Sequence, residues 1–265
     1  MIVTCISIID FFLEWLYSKS SVPILLMDKN YVVVDKPPDL VINDDDPGRD
    51  SLYRRLGRQF PNLVNYNTYK HGFPVLHRLD FSTSGIMVIP LTKKFASIAS
   101  KALQNNSNKY YTALLRGLPS MTHFMIKLPI HEIDRFRVST VGNGRHAETR
   151  IIVISKGVTK DGYPATLVLI KLLTGRRHQI RAHCSAMGHS IVGDYTYSNK
   201  KDIIPERMFL HSCEMTLKKS DGTLLLQAKS PPFDEDSFYY PHIHLKCETP
   251  LKDQFEDDFL SWVII

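Results

Sequence analysis

Residues 77–100 read HRLDFSTSGIMVIPLTKKFASIAS, and the residue types change character twice within that stretch. His77–Gly85 ends in hydroxyl side chains and a glycine, the composition of Asx and Ser/Thr turns. Ile86–Ile89 is an unbroken apolar run that reads as a buried strand, ended by Pro90. Thr92 then stands at a helix N-cap, and Phe95, Ile98, Ala99, Ala102 and Leu103 recur at the spacing of one helical face. The stretch is therefore turn, buried strand and capped helix. Asp80 sits at the head of the turn and has two readings. It is either a turn residue bonded to its own backbone, or a carboxylate held out for chemistry by the rigid strand that follows. Arg78, in the same loop, would reach outward to a phosphate or a base.

Tyr31–Val34 is a β-branched run broken by KPPD, and DDDPGRD at 44–50 is a solvated loop. Tyr110–Leu115, closed by Gly117, Thr166–Leu172 and Thr223–Ala228 are further strands. Strands outnumber helices and do not alternate regularly with them, which predicts an α+β fold with a mixed, mainly antiparallel sheet flanked by helices. Alternation puts Tyr110 and Tyr111 on opposite sheet faces; one facing a cleft would offer a stacking plane and a hydroxyl. Gly175–Gly188 (GRRHQIRAHCSAMG) predicts a helix, with Ile180, His183, Cys184 and Met187 on one face and Arg177 and Arg181 together on a second. Helix N-termini disfavour cations, so this basic start calls for an acid or a phosphate. It is either a solvated face or a place where one arginine clamps a carboxylate in two-pronged fashion, keeping it ionised.

The 265 residues are 43% hydrophobic, enough for a sizeable core. Lys plus Arg exceed Asp plus Glu by 33 to 27, a formal +6 that suits a polyanionic partner. Cys5, Cys184, Cys213 and Cys247 are scattered and form no CxxC pair, which fits a reducing, cytoplasmic setting. HEIDR at 131–135 is not HExxH, and P-loop and GxGxxG signatures are absent, so neither metal nor cofactor is expected. The opening MIVTCISIIDFFLEWLYSKS is apolar, but Asp10 and Glu14 interrupt it. It lacks the basic flank of a signal peptide and the arginines of a presequence, and is too short for a membrane span. Ile9, Phe12, Leu13 and Leu16 share a helical face, so residues 1–22 are expected to form an apolar packing helix. Residues 23–235 would be the main folded domain, the part to which any catalytic role would fall, and 236–265 a peripheral tail.

Taken together these segments resemble one family. HRLDFSTSG is similar to the HRLDxxTSG signature of the RluA-type pseudouridine synthases. KYYTALLRG at 109–117 resembles that family's KxYxAxxxG, and LLTGRRHQIRAHCSAMGHSIVGDYTY at 172–197 its LxTGRxHQIRxHxxxxGHPIxGDxxYG. Val34-Asp35-Lys36-Pro37 resembles the VxKPxG strand-turn, and RHAETRI at 145–151 the short A-x-T strand. Order and spacing agree from residue 24 to residue 233. The resemblance implies the pseudouridine synthase fold with a catalytic cleft, and isomerisation of uridine in RNA without metal or cofactor. It implies Asp80 as nucleophile, at C1′ of the ribose or C6 of the base, Arg181 as its partner and Tyr111 as the residue stacking on the flipped base. Arg78 would fill the gap left by that base, Lys36, Arg176 and His178 would contact phosphate, and Leu210 would line the pocket. It also implies a monomer whose partner is RNA. Asp39 stands where the family has Gly, Ser190 where it has Pro, and Ser198 where it has Gly. Residues 1–22 are too few for the S4 RNA-binding domain of many relatives. Two other readings are a catalytically silent RNA-binding protein on the same fold, which the intact Asp80, Tyr111 and Arg181 argue against, and an Asp-nucleophile phosphatase, which lacks the second acid of DxDxT.

Overall fold

The computed structural model describes residues 21–159, 162–231 and 263–264; the apolar segment expected as an N-terminal helix lies outside the described residues. Strands β1 (Ile24–Asp28) and β2 (Tyr31–Lys36) form a hairpin. Helix α1 (Leu52–Gln59), strand β3 (Ser84–Pro90) and helix α2 (Lys93–Asn105) follow. Next come β4 (Ser107–Arg116), β5 (His123–Ile126), the short pair β6 (His131–Glu132) and β7 (Val138–Ser139), β8 (Thr149–Val158) and β9 (Pro164–Leu172). Helix α3 (Gln179–Ala186) precedes β10 (Leu210–Lys218), β11 (Leu224–Lys229) and β12 (Val263–Ile264). Ten of the strands make one sheet in the order β1-β2-β3-β10-β4-β9-β8-β5-β12, with β11 on β10. Pairing is antiparallel except β3 with β10 and β5 with β12. The fold is α+β with a mixed, mainly antiparallel sheet.

The apolar runs explain the layering. Every residue of β3 is buried, as are Val32, Val33 and Val34 of β2, because both faces of this part of the sheet are covered. Alternation divides them. Ile86, Val88 and Val33 pack with Phe95, Ala99 and Ala102 of α2 on one face. Met87, Ile89, Val32 and Val34 join Leu52 and Leu56 of α1 and Ile180 and Cys184 of α3 on the other. Thr92 starts α2 as its sequence predicts, its hydroxyl accepting from the Phe95 N–H at 3.2 Å. Burying a side chain such as Phe95 contributes ~1.5–3 kcal/mol, so each face is anchored well beyond the helix's own propensity.

One crossing positions the site. Gly85 pairs with Lys36 on one side and Ser212 on the other. Its φ is +109°, and a Cβ built on it would lie 2.3 Å from the Ser212 carbonyl oxygen. Only glycine both adopts that angle and lets the two backbones pass so closely. The buried Ser84 hydroxyl stitches the crossing, taking Arg207 Nη2 at 2.6 Å and lying 2.8 Å from His211 Nδ1. The turn carrying Asp80 is thereby locked against the start of β10. Gly85→Ala is expected to destabilise the fold by ~2 kcal/mol or more, read as a lower urea midpoint at constant slope. An unchanged midpoint would show that the crossing yields.

Candidate active site

The turn at Asp80 is closed by backbone, not by its side chain: the Asp80 carbonyl accepts from the Thr83 N–H at 3.2 Å. The carboxylate is left to face a cleft of about 810 Å³ on the α1/α3 side of the sheet. Its side chain is 24% exposed, and Oδ2 accepts from Arg181 Nη1 at 3.2 Å. Arg181 makes its stronger contact elsewhere. Nε and Nη2 donate to the two oxygens of Asp194 at 2.8 and 2.9 Å, a two-pronged clamp between a nearly buried arginine and a buried aspartate. Burial opposes the charge on Arg181, but Asp194 and then Asp80 outweigh it and raise its pKa. The guanidinium is a fixed cation bridging two carboxylates.

Tyr197 extends the cluster. Its N–H donates to Asp194 Oδ1 at 3.1 Å, and its ring centroid lies 5.1 Å from the Arg181 guanidinium carbon. Its hydroxyl accepts from the Val138 N–H and lies 3.1 Å from His178 Nδ1. His178 Nε2 in turn is 3.8 Å from Asp80 Oδ2. Burial lowers the His178 pKa against the pull of Asp80, with Arg181 and Arg177 adding to the lowering. Tyr111, on β4, walls the cleft. Burial, with the Asp80 charge adding, pushes its phenol up to about 12. At neutral pH it is therefore an uncharged ring and hydroxyl.

Asp80, Tyr111, Arg181, Arg78, Arg176, His178 and Leu210 all line this one cleft. Lys36 does not. It is fully buried, and Nζ donates to the carbonyls of Pro37, Leu40 and Phe81 at 2.8, 3.0 and 3.0 Å. Burial lowers its pKa to about 7, opposed chiefly by Asp39. An ammonium whose donors all serve backbone has no face for phosphate, so the expected contact is corrected to a structural one: Lys36 ties the KPPD turn to the Asp80 turn. Asp39 has φ +53°, the left-handed region where glycine is favoured and Asp among the better-tolerated alternatives. The helix boundary is also corrected. Helix α3 begins at Gln179, after His178 in the left-handed conformation at φ +52°. Gln179 Oε1 accepts from the Arg176 N–H and the Thr174 hydroxyl, fixing the loop ahead of the helix. Arg177 is thus off the helix and shares no face with Arg181. It donates instead to the carbonyls of Asp134, Arg135 and Arg137, holding the β6–β7 turn. Asp194 and Tyr197 were missed as site residues, although both lie inside the GDYTY part of the motif segment.

Comparison with known proteins gives the family. The family model described as RNA pseudouridylate synthase matches residues 30–186. The chain belongs to that family and is by membership a pseudouridine synthase, an RNA-modifying isomerase. Within it, the chain is 37% identical over 248 residues to RNA pseudouridylate synthase domain-containing protein 1 of Danio rerio, covering 89% of this chain and 83% of the relative. It is 32% identical over 203 residues to the dual-specificity RNA pseudouridine synthase RluA of Vibrio parahaemolyticus, covering 73% and 76%. The solved structure of human RNA pseudouridylate synthase domain containing 1 superposes with a TM-score of 0.72 at 28% identity, covering 89% of this chain and 93% of that one. Among the described residues no helix is long and apolar enough to cross a membrane.

Removing one carboxylate from the cluster leaves a buried guanidinium half-paired. Asp194→Asn is expected to cost ~3 kcal/mol of stability and to lower turnover through a displaced Arg181. Urea unfolding checks it, and a loss below ~1 kcal/mol would show that Asp194 is not the anchor.

Proposed function

We propose that the chain isomerises uridine to pseudouridine in structured RNA, ribosomal or transfer RNA, with Asp80 as nucleophile. The observation that carries the reading is the Asp80 carboxylate, presented to the cleft while the turn beneath it is closed by backbone and one of its oxygens is held by Arg181. A carboxylate nucleophile needs an oxygen positioned toward the substrate, and the contact with Arg181 fixes the group without enclosing it. Asp80 either displaces N1 from C1′, bonding there as the C1′–N1 bond breaks, or adds to C6, after which that bond breaks. The uracil turns, C5 bonds to C1′, the bond to Asp80 breaks to return the carboxylate, and the C5 proton is lost while N1 gains one. Atoms and electrons balance within the nucleoside, so the reaction calls for no oxidant or reductant.

The uridine is flipped out of its stack to reach Asp80, which costs a few kcal/mol of unstacking. Arg78, exposed at the cleft mouth, is suited to fill the gap with its guanidinium plane and recover part of that cost. Tyr111 stacks on the flipped base and, as a phenol, offers a hydroxyl rather than a phenolate. Leu210 forms the apolar side of the base pocket. Arg176 and His178, on the loop ahead of α3, meet the RNA backbone. The chain would act as a monomer, and its scattered cysteines suit a reducing, cytoplasmic setting.

The test maps pseudouridine by chemical labelling across total RNA from cells with active enzyme, with Asp80→Asn, and without the protein. Sites present only with the active residue identify reaction and substrate together. In vitro, Asp80→Asn is expected to abolish product while RNA affinity stays within a few-fold. Normal turnover by that variant would remove Asp80 as nucleophile. Lost turnover at no site, with RNA still crosslinked, would favour the binding-only reading.

A further inference from the structure

Lys109 is a cleft residue that the proposed mechanism does not use. It lies two residues before Tyr111 on β4, so alternation places both side chains on the cleft face, and both line the cleft. Lys109 is half-buried. Among the described residues, no hydrogen bond or ion pair engages its ammonium. The nearest acid on the paired strand, Glu214, sits opposite Tyr110 and so belongs to the other face, where it meets Lys229 and Gln227. Of the two acids lining the cleft, Asp44 pairs with Arg49 and Asp80 with Arg181. Arg176, Arg177 and Arg181 line other parts of the same cleft. Burial lowers the Lys109 pKa, the mark of a charge that gains nothing from its surroundings.

A desolvated cation without an acid partner costs stability unless an anion meets it. The opening above it fits one. Gly175 covers Lys109 with backbone alone; a Cβ there would stand 3.6 Å from Nζ. Gly175 itself is exposed, so Nζ is reached from solvent past a residue without a side chain. Arg176 follows immediately, exposed.

We propose that Lys109, under the Gly175–Arg176 turn, is a phosphate-binding subsite that takes the phosphodiester adjoining the flipped uridine. The proposal rests on the RNA reading above and adds to it a fixed point for the strand, on the same β4 face as the stacking tyrosine. Fixing a backbone phosphate there sets the register in which a nucleotide enters the cleft. It also explains why an ammonium is kept where an apolar residue would pack better.

The test uses the full chain and a fluorescently labelled RNA stem–loop with a uridine-rich loop, titrated across a series of KCl concentrations. Lys109→Met is expected to weaken binding ~3–10-fold and to flatten the salt dependence by about one unit of log–log slope. The same variant is expected to raise the melting temperature by ~2 °C, because a buried charge is gone. Lys109→Arg should keep both affinity and slope. Gly175→Val, which retains the charge and covers it, should weaken binding as Lys109→Met does. A purely structural lysine gives the opposite pattern, lower stability with unchanged affinity and slope, and overturns the proposal. If the wild-type chain binds the stem–loop with a steep salt dependence and Lys109→Met does the same, only the subsite is lost. If the wild-type chain shows no salt-dependent binding, the RNA reading fails and takes the subsite with it.

Discussion

A single buried arginine between two carboxylates holds the site together. Arg181 reaches from α3 to Asp80 on the 77–83 turn and to Asp194 on the segment before β10, joining parts of the chain that are far apart in sequence. A guanidinium is the right group for this. It stays charged at any physiological pH and offers donors in a fixed fork. The two-pronged contact with Asp194 orients it, and the single contact with Asp80 leaves that carboxylate partly open to the cleft. Were the clamp reversed, with Asp80 taking both prongs, both of its oxygens would be committed to structure.

The rest of the fold brings that arrangement to a fixed address. The Gly85–Ser212 crossing sets the Asp80 turn against β10, and Lys36 ties the same turn to the end of β2 through the Phe81 carbonyl. Behind the crossing, His211 lies within hydrogen-bonding distance of Ser84 and Ser230, and Ser230 donates to Asp35. Burial, with Arg207 adding, lowers the His211 pKa to about 4, so the ring is neutral at physiological pH and serves as a hydrogen-bonding spacer. The cleft floor is therefore tied down on both sides.

The sheet's polar economy separates structural from available cations. Lys36 is encircled by carbonyls, Arg177 by the carbonyls of the β6–β7 turn, and Arg181 by carboxylates. Arg78 and Lys109 line the cleft without such partners. Composition counts all five as positive charge; the structure divides them into three that serve fixed acceptors and two that face the cleft.

Much of this was legible in the residues alone. The turn–strand–helix order of 77–105 follows from short-range sterics: hydroxyls and glycine turn the chain, an apolar run with β-branched residues makes a doubly covered strand, and Thr92 caps a helix. These choices are local, so local pattern decides them. The α+β class followed from the sparse, irregular spacing of helices. The gathering of Asp80, Tyr111 and Arg181 came from family motifs, since no periodicity links residues that distant. Three things awaited the tertiary structure. The helix start at Gln179 depended on Gln179 fastening the preceding loop, a side-chain bond that spacing does not display. The burial of Lys36 depended on the carbonyl of Phe81, 45 residues away. The principal partner of Arg181 proved to be Asp194, across a turn whose path periodicity does not encode. The sequence by itself determined which elements form and which chemical groups are present. Only the packing of the sheet decided which of those groups are paired with one another and which are left facing the cleft, because pairing is a contact between distant parts of the chain.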